Sequence, residues 1–175
     1  IHPELRFVLR FPQGWLTMNS QSAVRAISPA RDAQLELTVV GGGDRELDAI
    51  VDEFVESEFD GMTLRVRKRR PIKIGELPAI RVEGRAKTPA GPLAAHMTFV
   101  RYGDLVYRLT MLTYSDGAWR YRGRARAFAH SFRELDDEGV RSLKVTRLRI
   151  ARALNNETLQ ALSIRTRNEL EVVFT

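Results

Sequence analysis

The sequence predicts an α+β fold: an antiparallel sheet with flanking helices, followed by a small β-α-α appendage at the C-terminal end. Three observations predict it. Apolar and polar residues alternate over many short segments, the period of half-buried strands. The connections between those segments are too short for a crossover helix, which makes neighbouring strands antiparallel. Two longer stretches instead repeat apolar residues at helical spacing.

Taken in order, Leu5, Phe7, Leu9 and Phe11 alternate with Arg6, Val8 and Arg10 as a half-buried strand that Pro12-Gln13-Gly14 breaks before Trp15. Residues 23–28 and 34–40 read as two strands around the turn Ser28-Pro29-Ala30-Arg31-Asp32. Gly41-Gly42-Gly43-Asp44 leads into a helix whose Leu47, Ile50, Val51, Phe54, Val55 and Phe59 share a face, with Asp44 as N-cap and Gly61 as stop. Strands follow at 62–69, 78–87, 92–101 and 104–113, and Gly103-Asp104 makes a tight hairpin. A second helix runs from Ser115 or Asp116 to Phe132, with Tyr121, Ala125, Phe128, Ala129 and Phe132 inward. Arg120, Arg122, Arg124 and Arg126 fall outside that arc, split between two flanks, as a solvated face would have them.

Residues 134–142 are polar and aperiodic and read as a linker between a domain at 1–133 and a module at 143–175. In that module residues 143–152 alternate as a strand. Asn155-Asn156-Glu157-Thr158 starts a short helix to about Leu162, and a second helical stretch begins near Thr166.

The 175 residues suffice for one domain with an appendage, and 43% hydrophobic content supports a core. No apolar run approaches the ~18 residues of a transmembrane helix. Without cysteine there is no disulfide, thiolate metal site or thiol chemistry. Ile1-His2-Pro3-Glu4 has no initiator Met and no signal-peptide character; the expectation from both ends is a fragment of a larger exported protein. The net charge of +6 is almost all Arg, with Lys at Lys68, Lys73, Lys87 and Lys144 alone. That balance fits an anionic partner, and fits better a preference for Arg codons.

Candidate chemistry is sparse. His2, His96 and His130 are far apart, without the one-turn pair and Glu that a zinc peptidase needs. No serine has a G-x-S-x-G elbow. Gly41-Gly42-Gly43 lacks the Lys-Ser/Thr of a phosphate loop, and Asp44 would repel an anion. Glu53, Glu56 and Glu58 read as a solvated helix face. The run Arg65-Val66-Arg67-Lys68-Arg69-Arg70-Pro71 is the densest basic stretch. On a regular strand Arg65, Arg67 and Arg69 share a face, either as charge protecting an edge strand or as a surface for an anionic polymer or acidic partner.

Three motifs together resemble the PsbP/Mog1-like domains over residues 1–133. These are Phe7-Val8-Leu9-Arg10-Phe11-Pro12-Gln13-Gly14-Trp15, the segment Gly75-Glu76-Leu77-Pro78-Ala79-Ile80-Arg81-Val82-Glu83-Gly84, and the helix end Phe128-Ala129-His130-Ser131-Phe132-Arg133. The tail resembles the start of a LysM module. There Leu148-Arg149-Ile150-Ala151-Arg152-Ala153 precedes Asn156-Glu157-Thr158-Leu159-Gln160-Ala161-Leu162, with Asn156-Glu157 in place of Gly-Asp. This resemblance implies glycan contacts at Asn155, Asn156, Glu157 and Thr158.

The combination resembles the C-terminal region of exported bacterial zinc metallopeptidases related to HtpX and the CAAX endopeptidases. That implies a non-catalytic accessory region, periplasmic or envelope-associated, whose partner is its own N-terminal peptidase domain. Zinc would belong to that domain, with no cofactor in this chain. Two alternatives stand beside it: a free-standing envelope protein that binds peptidoglycan, and a nucleic-acid binder. The last is the least expected, since few aromatics interleave with the arginines.

Overall fold

The computed structural model describes residues 5–57, 61–88, 91–114, 117–142 and 151–166. The chain divides into two compact units, Ile1–Val140 and Arg141–Thr175.

The first unit is built on a seven-stranded antiparallel sheet. Its strands are β2 (Leu16–Asn19), β3 (Ala23–Ile27), β4 (Ala33–Gly42), β5 (Thr63–Ile74), β6 (Leu77–Thr88), β7 (Gly91–Tyr102) and β8 (Leu105–Tyr114), in the order β2-β3-β4-β8-β7-β6-β5. The long hairpins turn on two-residue loops. Gly75 and Gly103 take φ of 60° and 57° at their first positions, a conformation that costs glycine nothing.

Alternation along these strands divides the apolar residues between two faces. On face A, helix α1 (Leu47–Glu56) buries Ile50 and Val51 against Val82, Met97, Phe99 and Val106. On face B, helix α2 (Ala118–His130) buries Tyr121, Phe128 and Ala129 over Leu35, Leu109 and Met111. α1 lies over β5, β6 and β7 and the glycine end of β4, while α2 lies over β7 and β8. The fold class is thus α+β with an antiparallel sheet and flanking helices, as expected.

Three local expectations are corrected. The opening strand is only β1 (Phe7–Val8), which pairs with β9 (Arg133–Glu134) instead of joining the main sheet. Phe7, Val8 and Leu9 are all buried, because the β9 pairing and the end of α2 enclose the segment that alternation had left half-exposed. Ser131 Oγ accepts from the Arg10 amide at 3.0 Å, and the Leu135 amide donates to the Arg6 carbonyl at 2.8 Å. Phe7 stacks on Phe132 at 5.0 Å and meets Tyr107 edge-on at 5.2 Å.

Secondly, the stretch expected to be linker holds β9 and helix α3 (Asp137–Ser142), and Leu135 is buried. Thirdly, residues 16–19 form β2, an exposed edge strand whose alternation of Leu16 and Met18 with Thr17 and Asn19 spans only four residues. α1 begins after Glu46 rather than Asp44 and ends at Ser57. Phe59 and Glu58 lie outside the described residues, as do Ser115 and Asp116.

In the second unit, helix α4 (Leu159–Thr166) lies four residues later than the start expected at Asn155. The expected strand at 143–152 falls mostly outside the described residues, and so does the helical stretch beyond Thr166.

Candidate functional site: an open groove on one sheet face

Because α1 covers only one side of face A, the half over β2, β3, β4 and β8 stands open. Register places Leu16 opposite Ile27, Met18 opposite Arg25, Arg25 opposite Glu36 and Glu36 opposite Thr110 across it. Two adjoining cavities lie there, of about 540 and 330 Å³, and Gln34, Leu93 and Leu112 line both.

The smaller cavity is floored by a charged triad. Glu36 Oε1 accepts from Arg108 Nη2 at 2.6 Å, and Glu36 Oε2 accepts from Arg25 Nε at 2.6 Å. The Glu36 and Arg108 side chains are 8% and 7% exposed, whereas that of Arg25 is 45% exposed. The Arg108 guanidinium also lies 4.6 Å from the ring centroid of Phe54, so α1 forms the wall of the groove. Beside the triad the Thr110 hydroxyl is buried without a hydrogen-bond partner and lines the same cavity. Around this polar floor stand the apolar side chains of Leu16, Met18, Ile27, Leu93 and Leu112, with Leu16 and Met18 exposed. The arrangement offers fixed charge, a hydroxyl and an apolar rim. Such a floor can hold a polar group of a ligand while the rim takes an apolar one.

At the mouth of the larger cavity, Ser28 and Tyr121 fix Asp32. Both hydroxyls donate to Asp32 Oδ1, at 2.8 and 2.5 Å. The Tyr121 hydrogen bond first, and then that of Ser28, hold the Asp32 carboxyl below the usual carboxylate range.

The residues singled out from sequence lie elsewhere. β5 is an edge strand carrying a bulge between Val66 and Lys68. The bulge reverses the alternation, so Arg65 and Arg69 are on opposite faces and the expected shared face of Arg65, Arg67 and Arg69 does not form. Arg69 turns to face A, where it pairs with Asp48 and Asp52 of α1. Arg67 sits at the bulge and is exposed.

In the second unit Asn155, Asn156 and Thr158 are exposed, and Asn156 has φ of 60°. Thr158 Oγ1 caps α4 by accepting from the Ala161 amide at 3.2 Å. Glu157 is held from within: Arg165 donates to both its oxygens at 2.6 and 2.8 Å, and the Leu154 amide donates at 2.8 Å. The Arg165 hydrogen bonds first, then that of Leu154, hold the Glu157 carboxyl down to about 2.

His96 is on face B, and burial holds its imidazole below the ordinary value. His130 ends α2, and His2 lies outside the described residues. Among the described residues no group of three or more His, Asp or Glu side chains is placed to hold a metal ion, and no helix is long and apolar enough to cross a membrane.

The architecture has solved counterparts. The cyanobacterial PsbP protein CyanoP of Synechocystis sp. PCC 6803 superposes with a TM-score of 0.61 at 11% identity, covering 75% of this chain and 88% of that one. LpqN of Mycobacterium tuberculosis, described as involved in cell envelope biogenesis, gives 0.53 at 12% identity, covering 72% and 81%. PA94 of Pseudomonas aeruginosa, a protein of unknown function, gives 0.51 at 18% identity, covering 70% and 92%. The first unit therefore has the PsbP-like fold that its motifs resemble. Likeness at these identities shows fold alone. No protein-family model and no curated protein sequence matches the chain.

Proposed function

We propose that the chain is a non-catalytic binding region of an exported bacterial protein, and that it holds a partner in the open groove of face A. One observation carries this: half of a sheet face is left without a helix, and it frames a fixed Glu36–Arg108 pair and a spare Thr110 hydroxyl with apolar side chains. An apolar pocket with a few convergent polar groups is the usual form of a binding site. A protein segment with one or two apolar anchors and a polar backbone group fits it. An envelope location draws support from the involvement of LpqN in cell envelope biogenesis. The resemblance to exported zinc metallopeptidases supplies a more specific partner, the N-terminal peptidase domain of the same gene product, which would bring its own zinc.

The test begins with the natural gene upstream of the codon for Ile1. An H-E-x-x-H helix encoded there supplies the partner. Titrating that region with this chain should give saturable binding that Leu16→Glu weakens at least tenfold, since Leu16 is 67% exposed on an edge strand and the substitution leaves the core intact. A gene that encodes only this region removes the peptidase as parent. Binding that Leu16→Glu leaves unchanged removes the groove.

A second proposal concerns the tail, where the exposed Asn155, Asn156 and Thr158 are available to a glycan. Retention on insoluble peptidoglycan should then disappear when residues 143–175 are deleted; retention that survives the deletion excludes the tail as its cause.

A further inference from the structure

Face B carries a second feature, where β5 and β6 extend beyond the cover of α2. Register places Arg65 opposite Arg85 and Arg70 opposite Arg81, with Lys68 opposite Glu83 between them. Like charges directly opposite one another weaken a sheet, and this hairpin holds two such pairs. β7 adds His96, which is opposite Glu83. α2 adds Arg122, Arg126 and His130, spaced four apart and therefore on one side of the helix. This flank meets the sheet: Arg81 Nη2 and His130 Nε2 are 3.3 Å apart. Burial first, and then Arg126 and Arg70, push the Arg81 guanidinium below its ordinary value.

Little of this charge is answered from within. Among the described residues Arg65, Arg70, Arg81, Arg85, Arg122 and Arg126 make no ion pair. The Arg70 Nε–H is buried without a hydrogen-bond partner. Protection of an edge strand accounts for charge on β5 alone. It gives no reason for Arg81 and Arg85 on the next strand, nor for a helix that turns two more arginines toward them.

We propose that this shelf binds an oligophosphate, a short chain of linked phosphate groups. Arg70, Arg81, Arg126 and His130 hold one end of it, and Arg65 and Arg85 the other. Planar guanidinium groups match phosphate oxygens two at a time. Residues 81 and 85 are about 13 Å apart along the strand at ~3.3 Å per residue, which a chain of phosphates spans and a single phosphate does not. The shelf lies in the angle between α2 and the sheet. A flat bilayer would meet the outer side of α2 before it reached Arg70 and Arg81. Among the described residues no aromatic side chain belongs to the shelf, which favours a phosphate chain without bases to stack.

The probe is inorganic tripolyphosphate, titrated calorimetrically into the 175-residue chain at low salt. Saturable binding should appear and weaken steeply as salt rises. The double variant Arg81→Gln/Arg126→Gln should lose at least tenfold in affinity. Arg120→Gln/Arg124→Gln removes the same charge from the other flank of α2 and should change affinity less than twofold. Should Arg81→Gln disturb the fold, the exposed Arg126→Gln set against the exposed Arg124→Gln carries the same comparison, with a loss of roughly threefold for the first alone. Three results overturn the proposal: no saturable binding at low salt, equal losses in the two double variants, or tighter binding of single-stranded DNA or phosphatidylglycerol vesicles than of tripolyphosphate.

Discussion

Glu36 shows what alternation along a strand can and cannot tell. The pattern over 34–40 puts Gln34, Glu36 and Thr38 on the opposite face from Leu35 and Leu37, which is where they are. It does not say that Arg108, seventy-two residues away, reaches the same carboxylate and that α1 helps to bury the pair. The groove was illegible for that reason: its polar floor is assembled from β3, β4 and β8 by pairing, and each residue alone looks like the solvent side of a strand. The pair is nonetheless sensitive. Removing one partner of a buried ion pair leaves the other charge without compensation, at a cost of about 3–5 kcal/mol. Glu36→Ala should lower unfolding stability by about 3 kcal/mol in urea titration, and Arg25→Ala, at the exposed end of the triad, by less than about 1 kcal/mol. Equal losses from the two substitutions would show that the triad is not graded by burial. Thr113 provides the opposite case. Its hydroxyl is buried without a partner, so Thr113→Val should raise stability by about 1 kcal/mol, because desolvation of an unpaired hydroxyl is relieved with little change in shape.

Among the elements, the long hairpins and helices α1 and α2 were legible, because period, short turns and glycine placement agreed with one another. Four elements were not. β1 and β9 are two residues each and exist by pairing with each other, α3 lies in a polar stretch without helical periodicity, and β2 alternates over only four residues, all of them exposed. The bulge in β5 hides in an unbroken basic run and inverts the side on which Arg69 lies. Its partner strand has Gly84 opposite Val66, where a Cβ would come within 2.5 Å of the Arg65 carbonyl oxygen. Gly84→Ala should therefore destabilise the protein by about 1–3 kcal/mol, the usual cost of overpacking; a neutral result in thermal melts would show that β5 moves away freely. In the second unit α4 is tied to Glu157. That carboxyl is held down to about 2 from an ordinary 4.5, so its contribution is complete above about 4.5 and disappears as pH falls through about 2. Titration followed by NMR should place the Glu157 midpoint there. Arg165→Gln should move it up toward the ordinary carboxylate range, and a midpoint unmoved by that substitution would contradict the assignment to Arg165.

At the scale of the whole first unit, a sheet covered on each face by one helix has two uncovered quarters, and they lie at opposite ends of the strand order. The quarter on face A, over β2, β3, β4 and β8, is apolar around a neutralised ion pair. The quarter on face B, over β5 and β6, is cationic: Glu83 stands among arginines that make no ion pair among the described residues. Most of the net charge of +6 lies after Val140, so the shelf gathers arginines within a first unit that is nearly balanced, a distinction that a count of arginines cannot make. The helix periodicity did separate Arg122 and Arg126 from Arg120 and Arg124. Arg120 acts on Asp32 and Arg124 lies over Tyr121, while Arg122 and Arg126 act on His96 and Arg81. Surfaces on opposite faces with no shared residue should behave additively, and they should differ in kind. Binding in the groove buries apolar surface and should carry a negative heat-capacity change with little dependence on salt; binding on the shelf should weaken with salt. Met18→Glu should therefore weaken the groove's partner while leaving tripolyphosphate affinity within twofold, and Arg81→Gln/Arg126→Gln should do the reverse. Calorimetry of both ligands on both variants decides it: if either variant weakens both ligands alike, the two quarters form one site or the substitutions act through the fold.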